Sequence, residues 1–393
     1  MTAPGARSTV TPVRTRTGDP AVVDRVERAC ARATTGDELF EALSAELARL
    51  LTFDGSMWFG VDPATLLAAA PSRFEAMDSG YCTTFWHGEF HDHDAILFRD
   101  LARQRVPAAA LRAATADRPQ RSARFRNFVE PQGYDDELRA VFRTGPSTWA
   151  AGALYREKGR LAFDEGDVAI LGAISGVVGS AVRAQAAATV SGTPLLRAPG
   201  LLVFDAGGVL TSANAEAQQW LDEIYGAGDG SWTWLDLLGD PVGESDLGTA
   251  VPIVPLMARA RAVAAGHADG EARLRLRDRK GRWLVLHASC LAGGGADGSV
   301  AVVVEPAKSA EVAPIVIEAY GLSLRERDVV AAVARGLSTP EIANSLFLSA
   351  HTVRDYIKSV FDKVGVSSRG ELVAKLFADH YADPFHETAV HLH

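Results

Sequence analysis

Cysteine is scarce in this chain, and the few cysteines cannot form a disulfide framework. The 393 residues include three, Cys30, Cys82 and Cys290, an odd number spread far apart. Small secreted domains held by disulfides carry more cysteines, in even numbers and at short spacings. We therefore expect a protein of the reducing cytoplasm.

Long apolar runs and an excess of positive charge are also missing. We see no run near the roughly 18 apolar residues of a membrane span, and the N-terminus lacks the apolar core of a signal peptide. The net charge of −9 excludes a broad polycation that coats nucleic acid. With 47% hydrophobic and 23% charged residues, the composition predicts a globular protein with no membrane partner.

Motifs for catalysis and for nucleotide binding are absent as well. The chain has no G-x-x-x-x-G-K-[ST] loop, and no arrangement typical of a Ser-His-Asp, Cys-His or paired-carboxylate enzyme. It also lacks the acidic pair and lysine of a phosphorylated receiver, and the spaced Trp, Tyr and Asp of acyl-homoserine-lactone receptors. We expect no enzymatic activity, no catalytic residue and no cofactor, although an unidentified small ligand remains compatible with the sequence.

The strongest positive signal is a run of helix caps near the C-terminus. Ser323 and Glu326 have the spacing of a capping box, and apolar residues at helical spacing follow as far as Gly336. Ser338 caps a second helix with Pro340 in its first turn. Phe347-Leu348 is the predicted turn. The pattern indicates two short helices and a tight turn before a third helix.

The third helix should begin after Ser349 and end at Gly365. Apolar residues fall on one of its faces, the pattern of a packed helix, and polar residues fall on the other. A helix fits the major groove of B-DNA and reaches base edges with its N-terminal half. The residues that we expect to contact DNA are Ser349, His351, Thr352, Arg354, Asp355, Lys358, Lys363 and Arg369.

Each of these side chains suits a particular contact. Arg354 and Lys358 lie one turn apart and can reach guanine O6 and N7. Asp355 can accept from cytosine N4 or hold Arg354 in its working rotamer. The hydroxyls at the start of the helix suit a phosphate, and Lys363 and Arg369 are further candidates for the DNA backbone.

Residues 322 to about 377 resemble the helix-turn-helix of LuxR-type (GerE-like) transcriptional regulators. The resemblance rests on R-E at Arg325, G-L-S at Gly336, E-I-A at Glu341, S-x-x-T-V at Ser349 and K-x-G-V-x-S-R at Lys363. It implies four helices, of which the third reads DNA and the fourth, here 368 to 381, supports dimers. Tyr356 replaces a common His and Asp355 adds a negative charge, which leaves the preferred base sequence open.

Bases and acids are nearly balanced in this segment, so we expect a homodimer on double-stranded DNA, with RNA polymerase as a further candidate partner.

Two upstream regions read as α+β sensor domains. Two helical patterns, strands at 53–61, 137–141 and 148–155, F-D-E-G-D from Phe163 and a helix at 168–187 resemble a GAF domain. A hairpin with its turn at 205–208, a cap at Asn214 and strands at 271–277, 282–289 and 299–304 resemble a PAS domain.

The predicted divisions of the chain are a disordered tail at 1–18, the GAF-like domain at 19–187, a linker at 188–199, the PAS-like domain at 200–306, a connecting helix at 307–321, the all-α four-helix domain at 322–382 and a tail at 383–393.

Ligand sites in the sensor regions are harder to place. Trp58, Trp86 and Trp149 are candidates for lining a pocket, with ordinary core packing as the alternative. In the segment W-H-G-E-F-H-D-H-D, the candidate metal ligands are His87, Glu89 and His91. The alternative interpretation is a solvated polar segment that holds no metal.

The function that these patterns predict is a cytoplasmic transcriptional regulator. A metal- or small-ligand-binding sensor and a sigma-factor-like promoter-recognition protein are the alternatives, although no aromatic, basic promoter-melting region accompanies the helix pair.

Overall fold

The computed structural model describes residues 20–187, 197–225, 252–292 and 298–378. Within these ranges the chain forms two five-stranded antiparallel sheets with flanking helices, followed by a C-terminal set of helices. The chain divides into two compact units, one mainly of residues before 182 and one mainly of residues after it. The predicted tails at 1–18 and 383–393, most of the predicted linker and residues 379–381 of the predicted fourth helix lie outside the described residues.

The first sheet has the strand order β2-β1-β5-β4-β3. Its strands are β1 (Gly55–Val61), β2 (Ala68–Glu75), β3 (Ala108–Ala110), β4 (Tyr134–Thr144) and β5 (Ser147–Glu157). The accompanying helices are α1 (Pro20–Arg32), α2 (Gly36–Leu47), α3 (Cys82–His91), α4 (Phe98–Leu101), α5 (Leu111–Ala114) and α6 (Glu165–Ala187). The three predicted strands are confirmed, β4 and β5 extend further than predicted, and β2 and β3 were not predicted.

Small residues bring α6 close to the sheet. Ser175 Oγ donates to Val141 O at 2.8 Å and accepts from Arg143 N at 3.1 Å. A Cβ added at Gly179 would lie 2.8 Å from the carbonyl carbon of Arg143, so a larger residue would force the helix away. The packing of α6 on β4 therefore depends on a glycine at this position.

The expectation that no segment reaches the length and hydropathy of a membrane span was wrong for α6. One such helix is weak evidence for a span, because the core helix of a globular domain has the same composition. Leu171, Ile174 and Val178 of α6 are fully buried, as in a core helix.

The second sheet has the order β7-β6-β10-β9-β8. Its elements are β6 (Gly200–Phe204), β7 (Leu210–Ala213), α7 (Ala215–Tyr225), α8 (Ile253–Ala264), β8 (Ala272–Arg277), β9 (Trp283–Cys290), β10 (Val300–Pro306) and α9 (Ser309–Ala319). The predicted hairpin and three strands are confirmed, and α8 was not predicted. Asn214 caps α7 as expected, since its Oδ1 accepts from Ala217 N at 3.0 Å.

The C-terminal helices form a small apolar core. They are α10 (Leu324–Ala334), α11 (Thr339–Leu346), α12 (Ala350–Val364) and α13 (Arg369–Val373), which continues as a π-helical turn over Ala374–Ala378. Val330, Ile342, Val353 and Val360 are among its fully buried side chains, and Ile317 of α9 packs against them. These contacts set the positions of α10, α11 and α12.

Candidate DNA-binding surface

The start of α10 is held by the predicted capping box. Ser323 Oγ accepts from Glu326 N at 3.3 Å, and Glu326 Oε2 accepts from Ser323 N at 2.6 Å. Two backbone N–H groups that the first turn would leave without partners are thereby satisfied. The helix continues to its C-cap at Arg335, next to the predicted stop at Gly336.

The turn before the third helix is short and tight. Ser338 donates through its backbone N–H to Glu341 at 2.7 Å where α11 begins. At the other end of α11, Phe347 adopts a left-handed backbone conformation with φ of 57°, and its N–H donates to Ala343 O. Because this conformation reverses the chain within two residues, Ser349 can cap α12 directly afterwards.

Both ends of α12 agree with the prediction. Ser349 Oγ accepts from Thr352 N at 3.0 Å. Gly365 ends the helix with φ of 69°, a conformation that favours glycine, and its N–H donates to Phe361 O at 2.8 Å. The bounds of this helix were therefore readable from its caps.

The two faces of α12 differ sharply in exposure. Val353, Val360 and Val364 are buried in the helical core. The polar side chains predicted to read DNA point the other way, and the exposed ones in the N-terminal half are Ser349, His351, Arg354, Asp355 and Lys358, with Thr352 half-buried beside them. The helix therefore presents its hydrogen-bonding groups on one outward surface.

Asp355 has a different neighbour from the one that the sequence suggested. Its carboxylate lies 3.7 Å from His351 Nε2, one helical turn earlier, and both side chains are exposed. The sequence analysis offered two roles for Asp355, to accept from cytosine N4 or to hold Arg354 in its working rotamer. An exposed pair of this kind contributes little to stability, so both side chains can exchange it for contacts to a partner.

Lys363 and Arg369, predicted as phosphate contacts, already have protein partners. Lys363 Nζ donates to both carboxylate oxygens of Glu326, at 2.8 and 2.7 Å. Arg369 donates to Leu337 O and to Thr339 Oγ1, each at 2.7 Å. In this structure both cations therefore join helices of the domain to one another.

Glu326 is the centre of this internal bracing. Burial would raise the pKa of its carboxyl, but hydrogen bonds from Lys363, Ser359 and Ser323 outweigh burial and lower that pKa to about 2. Sequence reasoning identified Glu326 as a capping residue and missed its link to α12. The available signal was the spacing of Ser359 and Lys363, one helical turn apart on the face of α12 that meets α10.

The candidate metal ligands do not converge. His87 and His91 stack on one face of α3, with ring centroids 4.3 Å apart. Glu89 instead accepts from Phe98 N at 2.7 Å and from Arg139 Nη2 at 2.8 Å inside the domain. In the part of the chain that the structure describes, no group of three or more His, Cys, Asp or Glu side chains could hold a metal ion.

The three candidate pocket tryptophans occupy different surroundings. Trp86 lines a cavity beneath α3. Trp58 is fully buried against Phe142, with ring centroids 6.1 Å apart, and Trp149 is also buried. Core packing therefore accounts for Trp58, and Trp86 is itself buried and packs against the rings of Phe59, Phe85 and Phe90.

The C-terminal helices match a known family. The model of the GerE family, bacterial regulatory proteins of the luxR family, matches residues 321–376. The chain is 40% identical over 55 residues to the spore germination protein GerE of Bacillus subtilis, covering 14% of this chain and 74% of GerE. It is 36% identical over 76 residues to the probable transcriptional regulatory protein NarL of Mycobacterium tuberculosis, covering 19% of this chain and 32% of NarL. The chain thus spans about a third of NarL.

The solved structures that align with this chain are more distant. Escherichia coli SdiA aligns over 92% of this chain and 97% of its own, with 11% identity and a TM-score of 0.29. The phage VqmA–DPO complex aligns over 48% and 84%, with 19% identity and a TM-score of 0.26. Such low TM-scores carry no argument about function. The capped helices, their shared core and the high coverage of GerE carry the assignment: the chain belongs to the luxR family of bacterial regulatory proteins.

Proposed function

We propose that this protein is a sequence-specific, DNA-binding transcriptional regulator whose helix α12 enters the major groove. The observation that carries the proposal is the division of α12 into a buried valine face and an exposed polar face directly behind a tight turn. A helix held in this way presents its N-terminal half to base edges.

The contacts follow from the exposed side chains. Arg354 and Lys358 donate to guanine O6 and N7, the acceptors that distinguish a G·C pair in the major groove. Ser349 and Thr352, with the backbone N–H groups at the start of α12, hold a phosphate. Asp355 and His351, freed from their exposed pair, add a base-dependent acceptor and donor. Lys363 and Arg369 are further contacts to the DNA backbone, made either beside their present protein partners or in exchange for them.

A homodimer on a two-fold site suits the modest charge of this surface. Part of the basic charge is already paired internally, through Lys363 and Arg369. Few cations are left per chain to release counterions from DNA, so two copies bind much better than one. The fourth helix, from Arg369 onward, is the dimer contact that the family resemblance implies.

The two sheet regions are proposed as GAF-like (19–187) and PAS-like (200–306) domains that regulate DNA binding in the cytoplasm, with RNA polymerase as a further partner. In support, the two sheets share one strand order. A physical connection exists for the second: α9 follows β10 directly, and Ile317 and Tyr320 pack against the core that positions α12. A shift of α9 would therefore change the position of α12, the helix proposed to read DNA.

The test uses the full chain. A random duplex pool is enriched on the purified protein, and the selected duplex is titrated by fluorescence anisotropy. Lys358→Ala should weaken specific binding by about 1 to 3 kcal/mol, whereas Arg28→Ala, which removes the same charge from the exposed face of α1, should leave it unchanged. Failure to enrich any sequence, or equal affinity for Lys358→Ala and wild type, would contradict the proposal.

A further inference from the structure

The most exposed large apolar side chain of the described residues lies in the turn before α12. Phe347 is 95% exposed. An aromatic ring left in water forgoes the favourable free energy of burying its area. Single exposed apolar residues are nevertheless common on protein surfaces, so exposure alone assigns no role to this ring. Its backbone conformation and its place beside α12 supply the further evidence.

The backbone at Phe347 makes a large side chain an unfavourable choice. Its φ of 57° and ψ of 44° lie in the left-handed region, which suits glycine and strains a residue that carries a Cβ. The chain places glycine in this region after α10 and after α12, at Gly336 and Gly365. A glycine at position 347 would permit the same turn. The aromatic ring is therefore not required to form the turn.

The residues on both sides of Phe347 hold its backbone in place. Leu346 and Leu348 pack against the core of the C-terminal helices. The backbone N–H groups of Phe347 and Leu348 both donate to Ala343 O, the second at 2.9 Å. Because the backbone is already ordered, a contact made by the exposed ring loses little further conformational entropy. The turn thus presents an apolar ring from a rigid support.

Phe347 stands next to the surface that we propose binds DNA. It precedes Ser349, the N-cap of α12, by two residues, so the two Cα atoms are at most about 7 Å apart. Ser349 and the N–H groups at the start of α12 are the groups proposed to hold a phosphate. The C5-methyl group of thymine lies on the side of the major groove nearest its own sugar and phosphate. The ring is therefore close enough to contact a thymine methyl group beside that phosphate.

We propose that Phe347 packs against the C5-methyl group of a thymine at the edge of the DNA site and thereby selects an A·T pair at that position. The inference rests on the proposed function, because it requires α12 to lie in the major groove. Arg354 and Lys358 distinguish guanine by hydrogen bonds, whereas the phenyl ring offers only an apolar contact. In the major groove the apolar group that identifies a base is the thymine methyl, and phenylalanine is among the side chains that contact it.

Parallel selections from a random duplex pool provide the first test. Full-length wild type and full-length Phe347→Ala are each used to enrich the pool. Wild type should enrich a thymine at one fixed position beside the guanines that Arg354 and Lys358 contact. Phe347→Ala should enrich the same guanines without that thymine. Leu324→Ala removes another exposed apolar side chain of the C-terminal helices, at the start of α10, and it should keep the thymine.

Deoxyuridine isolates the contribution of the methyl group. It lacks the C5-methyl of thymine and keeps every hydrogen-bonding group of the base. In a fluorescence anisotropy titration, replacing the selected thymine by deoxyuridine should weaken wild-type binding about threefold to fivefold, the loss that corresponds to one buried methyl group. Phe347→Ala should bind the thymine and deoxyuridine duplexes equally. Deoxyuridine at any other thymine of the duplex should affect wild type and Phe347→Ala alike.

The outcomes separate this inference from the proposed function, which Lys358→Ala tests on the same duplexes. If Lys358→Ala weakens binding and Phe347→Ala does not, the ring contacts a partner other than DNA. If Phe347→Ala weakens binding to the thymine and deoxyuridine duplexes by the same factor, the ring contacts the sugar-phosphate backbone rather than a base. Either result, or a wild-type selection without the flanking thymine, overturns the assignment of Phe347 and leaves the proposed function intact. Failure to enrich any sequence overturns both.

Discussion

The two sheets of this protein have one topology and two different interiors. The first runs β2-β1-β5-β4-β3 and the second β7-β6-β10-β9-β8, which is the same order once each is counted from its first strand. The first buries Glu137 and Arg139 on a central strand. The second buries aliphatic side chains on β8, β9 and β10, among them Leu274, Leu286 and Val302, all at most 1% exposed, and Arg275 of β8 is also buried, paired with Asp62.

The difference shows that strand order alone does not set the chemistry of a sheet. An aliphatic interior gives stability from packing and needs no matching partners. A charged interior must satisfy every donor and acceptor, and replacing it by apolar groups is often neutral or stabilising. The following variants test whether charge stabilises the centre of the first sheet and packing volume the centre of the second.

Breaking the buried cluster of Glu89, Arg124, Glu137 and Arg139 should have the largest effect. Glu137→Leu leaves Arg124 and Arg139 without their shared carboxylate, so the free energy of unfolding of the first unit should fall by about 3 to 5 kcal/mol. Hydrogen exchange of peptides from β4 and β5 in the full chain measures this loss region by region.

Removing both members of the pair is the matched control. Arg124→Met combined with Glu137→Leu replaces a buried charged pair by apolar side chains of similar volume. The double variant should recover much of the lost stability. A double variant as unstable as Glu137→Leu alone would mean that apolar side chains cannot replace the charged pair of Arg124 and Glu137.

The second interior should respond to volume alone. Val302→Ala removes two buried methylene equivalents from β10, and the expected loss is about 2 kcal/mol, confined to the second unit. The loss should be the same at about pH 7 and about pH 5, because no titrating group is removed. Hydrogen exchange of β9 and β10 peptides measures this loss of stability. A loss that depends strongly on pH would show that charged side chains contribute to the stability around Val302.

The C-terminal helices fall between the two cases, with one buried carboxylate in an apolar core. Glu326→Gln should lower the stability of α10 and α12 by about 1.5 kcal/mol at neutral pH, because charged hydrogen bonds become neutral ones. The folded pKa of about 2 lies below the ordinary 4.5, so the stabilisation is complete above pH 4.5 and is lost as the pH falls toward 2. At about pH 3.5, the difference in hydrogen exchange between Glu326→Gln and wild type should therefore be smaller than at neutral pH. An equal difference at both pH values would contradict the stabilising role of the ionised Glu326 carboxylate.

The sequence predicted local structure well and long-range contacts poorly. Ser323, Ser338 and Ser349 marked the starts of three helices because capping depends on residues three or four positions apart. β3 consists of three alanines, Ala108–Ala110, and carries no strand signal of its own. The partners of Arg139 lie as far as 50 positions away, so nothing local could link it to Glu89, which the sequence suggested as a metal ligand.

The smallest predicted change is at the exposed turn before α12, and it is a gain in stability rather than a loss. Phe347 is 95% exposed and holds a left-handed conformation that costs a non-glycine residue about 1 kcal/mol. Phe347→Gly should therefore raise the stability of α11 and α12 by about that amount, whereas Phe347→Ala should leave it nearly unchanged. Slower exchange in the glycine variant alone checks this expectation, and a loss of stability would show that the exposed ring makes stabilising contacts.

The most direct test of the proposed function is hydrogen exchange of the full chain with and without its selected duplex. We predict slower exchange in peptides that cover residues 347–358, at the turn and the N-terminal half of α12, with α1 and α2 unchanged. Protection that leaves 347–358 unaltered while appearing on another surface would contradict the assignment of α12 as the helix that reads DNA.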